Sequence, residues 1–196
     1  MPAKASLCAI LMTLVLSGCA ADRGLTRAGV RIERDQFSPT IIVDGPAAGV
    51  NPLGGISGNW FLKSRVDQKT HAAATQLVID INYVGGWRWY GTAADGSASA
   101  LTLDQLGTRV DECFGAGVCA RHEIVAVAID GGKLRACVLD GYAIRVGARS
   151  GEGFTVTVDP AQIHAQLAAL AKLGALPAAP MRQASAQCSN LPAPVS

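Results

Sequence analysis

Few side chains in this 196-residue chain combine types and spacings that support chemistry. Cys113, Cys119 and His122 form the tightest grouping, two thiols and an imidazole within ten residues. Such a set is the raw material of a zinc site, but the five residues between the cysteines exceed the usual spacing of about two to four in a structural zinc knuckle. The other histidines, His71 and His164, stand far apart in sequence, and His122 adjoins Glu123. In an extended strand that adjacency sends the two side chains to opposite faces. Ser57 lies in Gly55-Ile56-Ser57-Gly58, which lacks the Gly-x-Ser-x-Gly pattern of a nucleophile elbow. Neither phosphate-binding glycine pattern is present. The residues therefore point away from hydrolysis, metal chemistry and nucleotide binding, and imply no cofactor.

The fate of the thiols depends on compartment, and the N-terminus indicates one. Lys4 precedes an apolar run from Ala5 to Leu16, too short to span a bilayer, which needs about 20 residues. This is the layout of a secretory signal peptide. It ends in Leu16-Ser17-Gly18-Cys19, which resembles the lipobox of bacterial lipoproteins. The resemblance implies cleavage before Cys19, diacylglycerol on its thiol and acylation of the new amino terminus. In that class an aspartate directly after the lipidated cysteine resembles an inner-membrane retention signal. Here Ala20 and Ala21 come first and the aspartate is Asp22. The expected address is the periplasmic side of the outer membrane.

Removal of Cys8 with the signal and lipidation of Cys19 leave Cys113, Cys119, Cys137 and Cys188. An even set in an oxidising compartment is expected to form disulfides, with three pairings open. The glycine-rich segment between Cys113 and Cys119 brings its ends together and favours that pair, leaving Cys137 with Cys188.

Charge is close to balanced, 17 basic against 15 acidic residues, net +2. Nucleic-acid binding, which relies on clustered Lys and Arg, is not expected. Nor does the chain have the low hydrophobicity and high charge of a disordered one.

Alternation gives most of the elements. Val30–Ile32 and Ile41–Val43 read as short strands, and 47–58 as a glycine-rich loop. Trp60, Leu62, Ser64 and Val66 alternate with Phe61, Lys63, Arg65 and Asp67, as do Leu77, Ile79, Ile81 and Tyr83 with their neighbours. Residues 107–113 and 119–129 read as a pair, with 124–129 apolar on both faces and so central. Asp130-Gly131-Gly132 reads as a hairpin turn into a strand over 134–139. Strands at 142–146 and 154–158 follow. Asp159 as cap, Pro160 at the first position and Gln162 three residues after the cap predict a closing helix over 160–173. The predicted fold is mainly β, an antiparallel sandwich or open barrel with one C-terminal helix. It divides into a signal at 1–18, a lipidated tether at 19–29, a domain at 30–176 and a Pro/Ala-rich tail at 177–196.

Trp60-Phe61-Leu62-Lys63-Ser64, Trp87-Arg88-Trp89-Tyr90 and the cysteines 113 and 119 resemble a set of small secreted bacterial β-rich proteins whose function is not established. The resemblance brings no catalytic residue. In Trp87-Arg88-Trp89-Tyr90, strand alternation predicts Trp87 and Trp89 in the core, with Arg88 and Tyr90 as the contact surface. The function expected is a lipid-anchored envelope protein, non-catalytic, holding the membrane through Cys19 and binding an envelope protein or glycan. The alternative is an envelope hydrolase of glycan or peptide. A deep pocket gathering His71 with Asp80 or Glu123 favours that enzyme, and a flat exposed aromatic patch favours binding.

Overall fold

The computed structural model describes residues 29–53, 56–176 and 188. The main layer is a seven-stranded antiparallel sheet. Its strands are β1 (Arg31–Arg34), β2 (Thr40–Asp44), β3 (Ala48–Leu53), β4 (Ile56–Asp67), β5 (Ala73–Val84), β8 (Leu103–Cys113) and β9 (Cys119–Ile129). The order is β1-β2-β4-β5-β9-β8, with β3 beside the first half of β4. The second layer is a four-stranded sheet, β11-β10-β6-β7, built from β6 (Tyr90–Asp95), β7 (Ala100–Leu101), β10 (Tyr142–Ala148) and β11 (Gly153–Val158). Two helices, α1 (Gly131–Ala136) and α2 (Pro160–Lys172), complete the described residues. Neither sheet closes into a barrel.

The core follows from the period-2 pattern. Leu77, Ile79, Ile81 and Tyr83 of β5 and Val125, Val127 and Ile129 of β9 face Tyr142, Ile144 and Val146 of β10 and Val156 and Val158 of β11. β9 lies between β5 and β8, as its two apolar faces imply. The remainder of the inner face, at Ile41, Val43 and Val66, is covered by Ala169 and Leu170 of α2. Asp159 caps α2 in a capping box with Gln162, and Pro160 opens the helix. The buried side of α2 also carries Gln162 and Gln166. Gln166 is fully buried and donates to the Val43 carbonyl (3.1 Å) and to Ser64 Oγ (2.8 Å), so hydrogen bonds as well as apolar contact dock this helix.

Three sequence expectations are corrected. The loop expected over 47–58 is largely β3 and the start of β4. Glycine serves the sheet there, because a Cβ on Gly58 would sit 1.9 Å from the Asp80 carbonyl oxygen. The hairpin turn at Asp130-Gly131-Gly132 and the strand over 134–139 are instead α1 and the turn after it. Asp130 accepts from the Lys133 N–H (2.9 Å) as an N-cap, and Leu134 enters the core. The strand expected at 87–90 begins only at Tyr90, because Gly85–Trp89 is the corner by which the chain leaves the large sheet for the small one.

Candidate functional site

This corner is built around a buried carboxylate. Glu123 alternates with Val125 and Val127 on β9, so its side chain points inward, and it is 0% exposed. A carboxylate removed from water must find donors, and Glu123 collects four. Tyr83 donates its hydroxyl, Trp89 and Tyr90 their backbone N–H groups (3.1 and 3.2 Å), and Gln105 Nε2 lies at 3.4 Å. Burial, reinforced by the carboxylate that accepts its proton, pushes the Tyr83 phenol well above its ordinary range. Tyr83 Oη in turn accepts the Arg88 N–H at 3.0 Å.

These bonds fix an unusual backbone. Trp89 has φ of 54°, left-handed for a bulky residue, and such a conformation persists only when its surroundings over-determine it. The Arg149 N–H supplies the remaining restraint, shared between the Arg88 and Trp89 carbonyls at 3.1 and 3.2 Å. The rotation throws the Trp89 side chain outward, 42% exposed, while Tyr90 is carried into the core at 1%. The expected pattern is therefore overturned. Tyr90 is a core residue packed edge-on against Tyr83 and Phe154, not a contact residue. Trp87 and Trp89 do stand together, but outside the core, with Trp89 exposed and Trp87 half-buried. Their rings stack at 5.2 Å and 29°, and the Arg121 guanidinium lies 4.4 Å from the Trp87 ring centroid. Arg121 is itself held by the Gly85 carbonyl at 2.8 Å. Arg88 is half-buried, over the Tyr83 ring and paired with Glu152 at 3.1 Å.

The other candidates fall elsewhere. Cys113 and Cys119 form a disulfide, as do Cys137 and Cys188, so neither cysteine of the grouping with His122 is a thiolate available to a metal. His122 lies on the outer face of the large sheet with Nε2 2.6 Å from Asp80 Oδ1. His71 sits at the far end, its Nδ1 2.9 Å from the Leu173 carbonyl that ends α2. Asp80 and Glu123 occupy opposite faces of the sheet, and His71 approaches neither. Ser57 is exposed on β4 and His164 is exposed on α2. A second buried carboxylate, Asp95, is bonded by Lys133, Tyr142 and the turn residues Ser97 and Ser99, and it joins β6 to α1. Cys19 lies outside the described residues. Sequence reasoning missed the role of Glu123, although its inward register on β9 marked it as a carboxylate that must be satisfied.

The chain matches no protein-family model, no curated protein and no solved structure.

Proposed function

We propose that this chain is a lipid-anchored envelope protein whose role is non-catalytic binding, with the Trp87–Trp89 stack as its contact surface. The observation that carries the reading is the exposed Trp89 ring. It is held outward in a left-handed backbone by a carboxylate buried beneath it. A fold short of aromatics gains more from burying a tryptophan than from displaying one, since full burial of a large apolar side chain contributes about 1.5–3 kcal/mol. Strain spent to display the ring is the pattern of a functional position. Arg121 behind Trp87 fixes the stack before any ligand arrives, which lowers the ordering cost of binding. The anchor rests on Leu16-Ser17-Gly18-Cys19.

Two measurements on the full chain test the reading. Labelled fatty acid should enter the wild type and not Cys19→Ala. Binding to isolated envelope fractions should drop in Trp89→Ala while its melting temperature stays near that of the wild type. Equal binding by Trp89→Ala and wild type refutes the aromatic surface.

A further inference from the structure

We infer that the end of the sandwich bearing Trp89 docks onto the interfacial region of the phospholipid bilayer that holds the Cys19 lipid. The inference rests on the anchored-binding reading above and names the partner of its surface. Large apolar side chains are exposed around this end. Val84 ends β5 on the face opposite Arg121, Phe114 and Val118 form the tip of the β8–β9 hairpin, Val110 lies on β8 near its base, and Trp89 projects from the corner. The corner joins the hairpin directly, since the Gly85 N–H donates to the Cys119 carbonyl at 3.0 Å. Val110 and Arg121 are register partners on β8 and β9, so the row runs from Val110 through Arg121 to the stacked tryptophans. The other exposed large apolar residues described, Ile32, Phe37, Leu106 and Leu139, are scattered. Trp and Phe beside Arg side chains suit the headgroup boundary, where one end of a residue is apolar and the other wet.

The position of the anchor supplies the second argument. Arg31, which opens β1, stands level with Ala128 of β9 through Asp44, Lys63 and Gln76. From that level the hairpin base at Cys119 is about 30 Å along the sheet, and β1 is about 19 Å from β9 across it. β1 runs away from the hairpin end, so the chain enters the fold from that side. The twelve residues from Cys19 to Arg31 reach at most about 40 Å, which covers the diagonal of about 35 Å. Lipid and aromatic end therefore reach one plane together. Two membrane contacts also hold better than one, because the second is made at high effective concentration.

The test uses the full lipidated chain, held by its own lipid in phosphatidylcholine–phosphatidylglycerol vesicles with acyl chains brominated near the headgroup. Bromine should quench tryptophan emission. The quenched fraction should fall in Trp89→Phe, which leaves the stacked Trp87 in place, and should be reduced in Phe114→Ser/Val118→Ser, whose changes are confined to an exposed hairpin tip. Emission as strong as in unbrominated vesicles overturns the inference. If quenching is absent while peptidoglycan sacculi or an envelope protein still bind through Trp89, bilayer docking fails and the aromatic-surface reading survives. A chain that takes up no fatty acid removes the anchor and both readings with it.

Discussion

Glu123 and Trp89 are joined across 34 residues of sequence by a 3.1 Å hydrogen bond from the Trp89 N–H to Glu123 Oε1. The most hidden acid in the large sheet thus sets the direction of the most exposed tryptophan. No residue of the corner itself specifies that outcome. Gly85 and Gly86 permit a turn, but the acceptor comes from β9.

Glu123→Gln should therefore release the corner. Two effects compete. Removing a buried charge recovers its desolvation cost. An amide, however, keeps one acceptor oxygen and turns its NH2 toward one of the two backbone amides, Trp89 on the Oε1 side or Tyr90 on the Oε2 side, leaving a buried donor unsatisfied at about 1–3 kcal/mol. With four donors converging on the carboxylate, the second effect wins. We expect a net loss of about 2 kcal/mol and faster amide exchange at Trp89 and Tyr90. Unchanged exchange there would show that Glu123 does not hold the backbone.

The neighbouring aromatics should separate cleanly. Trp89→Ala removes a partly exposed ring and one stacking contact, costing below about 1.5 kcal/mol. Tyr90→Ala empties a fully buried site and should cost roughly 3–5 kcal/mol. The emission of Trp89→Ala should also move to the blue, since the most exposed of its tryptophans is gone. Chemical denaturation of the two variants checks the order. Equal losses would place Trp89 in the core after all.

How much of this was legible in the sequence depends on the range of the interaction. β4 and β5 were legible because alternation is a local pattern and one face of each is buried, and β9 because its second half is apolar on both faces. The capping of α2 was written in Asp159, Pro160 and Gln162. Pairing of the four cysteines was expected from their even number, and the Cys113–Cys119 partner choice from the short glycine-rich segment between them. Asp130-Gly131-Gly132 was ambiguous, because Asp before Gly caps a helix as readily as it turns a hairpin, and Leu134 in the core decides between them. Gln162 and Gln166 interrupt an apolar face and were legible only once the Pro46 and Val43 carbonyls and Ser64 appeared opposite them. Trp87-Arg88-Trp89-Tyr90 misled because alternation assumes an extended chain. The left-handed φ at Trp89 breaks that assumption by means of a residue on another strand.

The disulfides should differ in weight. Cys137–Cys188 closes a separation of 51 residues, and Cys113–Cys119 one of 6. In the chain-entropy account the first contributes roughly 4 kcal/mol and the second roughly 2. The Cys188 carbonyl also accepts the Ala143 N–H at 3.2 Å, so losing the longer bridge loosens a hydrogen bond at the start of β10. Paired alanine variants compared by denaturation should show the Cys137/Cys188 pair as the more destabilised. The reverse order would mean that the hairpin bridge does more than close its loop.

Acid should act on the domain through Asp95. Burial alone would raise this carboxyl, but the Lys133 ammonium, the Ser97 hydroxyl and the Ser99 and Ser97 amides outweigh it and hold the group at about 2. Its folded value is thus depressed below that of the unfolded chain, near 4. A group of this kind stabilises the fold fully above the unfolded value, and its contribution is lost as pH falls toward the folded one. The window is therefore about pH 4 down to pH 2, and the contribution at neutral pH is on the order of 2 kcal/mol. In Asp95→Asn the Lys133 ammonium loses its partner. That variant should be less stable than wild type at pH 7, and the difference should shrink as both are acidified through that window. Melting curves at closely spaced pH values give the answer. A stability gap that stays constant from pH 7 to pH 2 would show that the ionised Asp95–Lys133 pair is not what joins β6 to α1.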